Sequence, residues 1–301
     1  MSNKIKVTFL GTAGAVPTVR RNHTAVLLNY RDENILVDCG EGVQRQFRKA
    51  GLNPCKLTKI LITHWHGDHV LGIPGLLQTL AFSGYNKTLC VYGPRGTKKF
   101  MDLMLKTFIF EEKISVKVFE IDKGVFFEND YFSLEACSLD HRINCNGYCF
   151  VEKGKRRINK EKLEKSGLRS GPLLKKLKSG KDVSYEGKKY LASKLTFVEE
   201  KKKICFVWDT GYDKKISKFV EGADLFVCEA TLSKEFEEFA KKARHLTSEQ
   251  AGKIAKDAGV KKLGLIHVSQ RYENNLRKIL KEAKEVFKNS FVPKDLDVVE
   301  V

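Results

Sequence analysis

His64-Trp65-His66-Gly67-Asp68-His69 follows directly on the apolar run Lys59-Ile60-Leu61-Ile62-Thr63. Three imidazoles and a carboxylate are thereby gathered at the exit of a segment that reads as a buried strand. Side chains two apart in extended backbone point the same way, so His64 and His66 converge on one point. Gly67 lets the chain turn and present Asp68 and His69 to a neighbouring point. Two adjacent points with these donors are a layout for two metal ions. Neutral imidazole and carboxylate suit zinc-like ions, and a site short of a full protein shell keeps a position for water. A solvated polar loop is the bland alternative, but it gives no reason for three of the chain's seven histidines to fall within these six positions.

With 301 residues the chain can bury a large core, as one large domain or two small ones. No apolar run follows Met1, and nowhere do about 18 uninterrupted apolar residues occur, so no signal peptide or membrane span is expected and a cytoplasmic location is. Eight cysteines are scattered without CxxC pairs, several in or beside apolar segments. They read as small buried thiols, most of them unpaired, and not as a disulfide framework.

The formal net charge of +18 points to a polyanionic partner. Lysine-rich surfaces also arise in hyperthermophile proteins, so the distribution matters more than the total. Between Val151 and Lys189 stand 14 Lys or Arg against 5 Asp or Glu, half of the whole excess. This segment has few large apolar residues and interleaved glycines, and reads as a projecting arm whose role is binding; a solvated linker is the alternative.

Around it, apolar runs predict strands at Ile5–Leu10, Ala25–Leu28, Ile35–Val37, Leu57–Thr63 and Leu89–Tyr92, with helical patterns at Gly40–Gly51 and Val70–Phe82. After Lys194 strands are expected at Ile204–Val207, Leu225–Cys228 and Leu263–Ile266. Helices follow over Thr247–Ala258, opened by a Thr247/Gln250 capping box, and from about Tyr272 to Asn289. The pattern is an α/β fold of two sheet-and-helix halves with a basic intervening segment.

Two ions need more ligands than the opening cluster supplies. His141 follows the strand-like Phe132–Leu139, Asp209 follows Ile204–Val207 and His267 follows Leu263–Ile266. Each could meet the cluster on one rim of a sheet. Glu229 and His245 could pair, the acid orienting the ring and raising its pKa, although a structural histidine is an equal reading of this pair alone.

The opening cluster resembles the HxHxDH signature of the metallo-β-lactamase superfamily. Further pieces resemble one member family, ribonuclease Z, the tRNA 3′-processing endonuclease. They are Phe9-Leu10-Gly11-Thr12, Val16-Pro17-Thr18, Arg21-Asn22, Asp38-Cys39-Gly40-Glu41-Gly42, Gly72-Ile73-Pro74-Gly75-Leu76-Leu77, Gly147-Tyr148, Gly171-Pro172, Asp209-Thr210, Glu229-Ala230-Thr231, His245 with Thr247, and His267-Val268-Ser269-Gln270-Arg271-Tyr272. They run through nearly the whole chain. Two departures are Trp208, where members often carry a small residue, and His23, read as a loop residue.

The resemblance implies an αββα sandwich over residues 1–301, with 151–189 as an inserted flexible arm for tRNA. It implies two Zn(2+) per subunit, one held by His64, His66 and His141, the other by Asp68, His69 and His267, with Asp209 bridging. It implies attack of the metal-activated hydroxide after the discriminator nucleotide, Asp68 assisting the water and His245, oriented by Glu229, protonating the leaving oxygen. The tRNA would keep a 3′ hydroxyl. Gly171, Pro172, Lys175, Lys176, Lys178 and Arg271 would contact RNA, mainly through phosphates. A homodimer in which one subunit's arm serves the other's active site is also implied. The best-known β-lactamases of the superfamily have Cys at the place of Asp209 and Arg at that of His69, which disfavours antibiotic hydrolysis. The alternatives are a hydrolase of a small phosphodiester or ester and a non-enzymatic RNA-binding module.

Overall fold

The computed structural model describes residues 4–110, 114–154, 156–169, 171–198 and 200–301. The backbone divides into two compact units, one of Met1–Phe127, Leu134–Phe150 and Lys203–Val301, the other of Glu128–Ser133 and Val151–Lys202.

Two seven-stranded sheets make up most of the larger unit. One runs in the order Val298–Glu300, Lys6–Gly11, Ala25–Tyr30, Glu33–Val37, Lys59–Leu61, Thr88–Gly93 and Ser115–Glu120. The other runs Ser290–Phe291, Leu263–Ile266, Leu225–Glu229, Lys203–Val207, Asn146–Glu152, Phe132–Ser138 and Gly124–Glu128. Alternation along each strand divides its side chains between two faces. Leu10, Ala25, Leu27 and Leu36 of the first sheet pack with Val43 and Phe47 of the helix Val43–Lys49 and with Leu76 and Leu80 of the helix Ile73–Phe82. Side chains of the opposite face meet the second sheet, as in Phe9 against Phe291 (ring centroids 6.1 Å apart) and Tyr30 against Phe150 (5.3 Å). The helices Ser248–Asp257 and Leu276–Val286 lie on the second sheet, giving the αββα order.

The strands Glu33–Val37 through Ser115–Glu120 are parallel, as are Lys203–Val207 through Ser290–Phe291. Each parallel set points its carboxyl ends to one edge, where an open α/β sheet forms its binding crevice.

The expected strands and helices form, with informative differences. The helical pattern Val70–Phe82 breaks into Gly67–Val70 and Ile73–Phe82. Gly72, between them, is pressed so closely on another strand exit that a Cβ there would lie 2.1 Å from the Gly40 carbonyl oxygen. The helix expected from Tyr272 begins at Leu276, with Ile279 and Ala283 fully buried. At Thr247 the capping box forms, Gln250 Oε1 accepting from Thr247 N at 3.0 Å. The C-terminal strand Val298–Glu300 returns to pair with Lys6–Thr8, a long-range closure no local pattern announces.

The cysteine reading needs one correction. Cys149 and Cys205, both buried, are joined at an S–S distance of 2.05 Å. They lie on neighbouring strands that the sequence separates by 56 positions, a pairing that cysteine spacing could not reveal. The other six are free thiols, three of them buried.

The smaller unit contains the short helices Lys160–Ser166, Leu173–Lys178 and Ala192–Leu195 and the strand pairs Arg156–Ile158 with Thr196–Val198 and Val183–Tyr185 with Lys188–Tyr190. Leu168, Leu177, Val183, Tyr190, Ala192 and Leu195 form an apolar cluster of its own. The segment 151–189, expected as an arm, falls within this unit, where thinly spread apolar residues converge.

Candidate metal centre and proton donor

Parallel strands deliver most of the site. His64 follows Lys59–Leu61, Asp38 follows Glu33–Val37, Asp209 follows Lys203–Val207, Glu229 ends Leu225–Glu229 and His267 follows Leu263–Ile266. Asp38, Asp209 and His267 all take left-handed backbone, with φ of 56°, 57° and 53°. That region is sparsely used by non-glycine residues and costs of order 1 kcal/mol or more each. The strain sits where a side chain must leave its strand for the common rim.

At that rim the expected ligands come together. His64, His66, His141 and Asp209 offer atoms that all lie within 4.8 Å of one another, and so do Asp68, His69 and His267. His64 Nε2 is 2.9 Å from His66 Nδ1 and 3.2 Å from Asp209 Oδ2, and His141 Nε2 is 3.3 Å from His66 Nδ1. In the second group, Asp68 Oδ2 lies 3.2 Å from His69 Nε2 and 3.4 Å from His267 Nε2. Asp209 touches both groups, Oδ2 at 3.3 Å from His69 Nε2 and Oδ1 at 3.2 Å from His267 Nε2.

The donor chemistry fits divalent cations. Burial keeps His66 below the ordinary histidine range and takes His141 down to about 4, so both rings are neutral with lone pairs available. Burial works against ionised Asp68 and Asp209, but the surrounding histidines overcome it and hold both carboxyls well below the usual range. His69 Nε2 and Asp209 Oδ1 are buried and make no hydrogen bond, although ionisable side chains lie within 3.3 Å. Orphaned buried polar atoms of this kind are costly unless something else satisfies them. A cation between the groups would do so.

One partner of this centre carried no role in the sequence reading. Asp38 is fully buried and accepts from Thr63 N (2.7 Å), Thr63 Oγ1 (2.6 Å) and Trp208 Nε1 (2.6 Å), while His69 Nδ1 lies 2.6 Å away. It thereby fixes His69 with Nε2 facing the cluster, as outer carboxylates do for ligating histidines. Trp208, the departure from the family pattern, is completely buried with its one polar atom used on Asp38. Its position after an apolar strand, like that of His64, was the available signal for Asp38. His23 stands apart among the described residues, with Nε2 3.2 Å from the Ala15 carbonyl and its backbone against Gly11 and Gly40.

Glu229 and His245 do pair, Oε2 lying 3.1 Å from Nδ1. Glu229 is fully buried; Oε1 accepts from Thr210 N at 2.7 Å and Oε2 from Thr231 Oγ1 at 2.6 Å. The same Thr231 hydroxyl is 2.9 Å from His267 Nδ1, so one carboxylate organises both a cluster histidine and His245. Burial alone would lower the His245 pKa, but the charge and hydrogen bond of Glu229 carry it up to about 9. His245 is therefore an imidazolium at neutral pH, its ring 5.6 Å from those of His141 and His267. With Asp209 and His267 it also forms a third group able to hold a metal.

Five of the residues expected to contact RNA belong to the smaller unit. Gly171, Pro172, Lys175, Lys176 and Lys178 are exposed in or beside the helix Leu173–Lys178 of the smaller unit. Arg271 is exposed in the turn after His267, its guanidinium 5.0 Å from the Phe236 ring.

Relatives fix the family. The chain is 38% identical over 298 residues to the ribonuclease Z of Methanothermobacter thermautotrophicus, covering 99% of this chain and 97% of that one. The chain belongs to the ribonuclease Z family. A solved relative, the short form of human tRNase Z, is 28% identical with a TM-score of 0.68 over 98% of each chain. The metallo-β-lactamase fold protein YhfI from Bacillus subtilis is 22% identical, with a TM-score of 0.72 over 100% of both, a likeness of fold. A family model described as anti-Pycsar protein Apyc1 matches residues 5–149. That span holds the HxHxDH cluster and His141 but not Asp209, Glu229, His245 or His267. The ribonuclease Z match includes them all, and the membership implies a divalent-metal hydrolase of the nuclease kind.

Proposed function

We propose that the chain is a zinc-dependent endoribonuclease that removes the 3′ trailer from precursor tRNA by hydrolysis after the discriminator nucleotide. The observation that carries this reading is His245, protonated and held by buried Glu229 beside a cluster with ligands for two cations. His64, His66 and His141 would hold one zinc, Asp68, His69 and His267 the other, and Asp209 both. Bound there, the metals supply Lewis-acid activation of water and compensation of phosphate charge.

The chain's own groups do the rest. Asp68, ionised under the influence of His267 and His69, accepts a hydrogen bond from the attacking water and orients it. His245 donates its Nε2 proton to the departing 3′ oxygen, and Glu229 retains the ring in the orientation that presents Nε2. The tRNA keeps a 3′ hydroxyl. Lys175, Lys176 and Lys178, with Gly171, Pro172 and Arg271, contact the RNA, the lysines by salt-sensitive phosphate contacts at the tRNA elbow. The enzyme acts as a cytoplasmic homodimer.

The decisive experiment incubates metal-assayed protein with a 3′-extended tRNA and maps the cut to the nucleotide. Cleavage after the discriminator supports the reading. Hydrolysis of a small phosphodiester with pre-tRNA left intact favours the small-substrate hydrolase instead. Wild-type RNA function in Asp68→Ala and His245→Ala would favour a binding module.

A further inference from the structure

The loop Asp209-Thr210-Gly211-Tyr212 continues past the metal cluster into a feature the mechanism leaves unused. Gly211 N donates to the Asp140 carbonyl at 2.8 Å, and a Cβ on Gly211 would meet Asp140 Oδ2 at 2.7 Å, so the loop is pressed flat on the His141 loop. This sets Tyr212, 40% exposed, on the wall of a cavity of about 360 Å³ whose other walls include Asp140, Glu238, Lys241 and His245. The volume is within the range of about 300–1,000 Å³ common for small-molecule sites.

Three features narrow the occupant. The first is chemical direction: the oxygen protonated by His245 is the 3′ oxygen of the nucleotide before the cut. That sugar must stand at His245, and its base must lie in adjoining space. The second is charge: Asp140, Glu237 and Glu238 line the cavity together with Lys241 and the protonated His245, and Arg244 Nη1 lies 3.1 Å from Asp140 Oδ1, so the lining is close to neutral overall and suits an uncharged base. The third is shape: an exposed phenol ring stacks on any base, while carboxylates accept hydrogen bonds from exocyclic amino groups.

We propose that this cavity takes the base of the nucleotide immediately 5′ of the scissile phosphate, stacked on Tyr212 with an exocyclic amino group toward Asp140 or Glu238. Tyr212 is then a positioning residue that sets the leaving 3′ oxygen at His245, and adenosine, cytidine or guanosine is preferred there over uridine. The inference rests on the tRNA reading above.

The test is a cycle of enzyme and substrate changes. Wild type, Tyr212→Ala and Tyr212→Phe are assayed on a 3′-extended tRNA with adenosine, uridine or an abasic residue before the cut. The expected result is an about tenfold or greater loss of kcat/KM for Tyr212→Ala on adenosine, retention by Tyr212→Phe, and convergence of Tyr212→Ala with wild type on the abasic substrate. An equal loss on abasic and adenosine substrates, or no loss on adenosine, overturns the proposal. Should Tyr212→Ala fail to fold, wild type decides: equal rates on adenosine, uridine and abasic substrates overturn it, and a ranking with adenosine fastest and abasic slowest upholds it. Wild type that hydrolyses bis(4-nitrophenyl) phosphate but cuts no tRNA overturns the tRNA reading and this inference with it, whereas failure of the cycle on cleaved tRNA removes the base site alone.

Discussion

At the metal rim, Asp38 alone has four polar partners and Glu229 three, each of these side chains fully buried. In the helix Leu173–Lys178, by contrast, Leu177 is buried while Lys175, Lys176 and Lys178 stand in solvent. The rim acts through directed lone pairs whose angles the strands set. On the proposed reading, the basic unit would act through summed charge, for which the position of any one lysine matters little. A substitution at the rim should therefore be catastrophic and specific, and one in the helix graded and sensitive to salt.

The sharpest way to break this contrast is His245→Ala. General acids contribute about 10²–10⁴-fold, so single-turnover cleavage should fall by that much while tRNA binding persists. A loss confined to binding would place His245 with the lysines instead. Asp38→Asn keeps the shape but weakens the anchor of His69, and metal affinity should drop about 10–100-fold in a chelator competition. Unchanged affinity would mean that His69 needs no anchor.

Glu229→Gln gives a pH signature. The acid must be protonated, so activity is present below the His245 pKa and lost as pH rises through it. In the wild type that limb is expected at about 9. Without the Glu229 charge it should move to 6.5 or lower, cutting the rate at pH 8 by about 30-fold or more relative to wild type. A pH profile that keeps its alkaline limb would separate His245 from Glu229. Smallest per residue is the charge term. Replacing Lys175, Lys176 and Lys178 with Gln should weaken tRNA binding and reduce the slope of log affinity against log salt by up to about 3, with kcat retained.

The same contrast explains what could be read in the sequence. The HxHxDH stretch is local, so strand periodicity and the turn at Gly67 announce it, and the single polar residues after later apolar runs extend it to His141, Asp209 and His267. Partnerships across the fold were not legible. Asp38 meets Trp208 only because two sheets face each other, and Cys149 meets Cys205 only because strands flanking the basic unit are neighbours. The Glu229 and His245 pair needed the family resemblance to stand out from an ordinary polar contact. Within the basic segment, six apolar residues spread from Leu168 to Leu195 were too dilute to show periodicity, yet they form a cluster.

Asp295 accepts from Thr12 Oγ1 at 2.7 Å and from Asn22 N at 2.7 Å, and Gly14 of the loop between them is packed so tightly on His267 that a Cβ would lie 2.8 Å from its Nδ1. The loop is thus tied down by a carboxylate 283 positions further along the chain than Thr12. During synthesis on the ribosome, the nascent polypeptide can pair its early strands long before this tether exists. Final closure around His267 must wait until synthesis has passed Asp295.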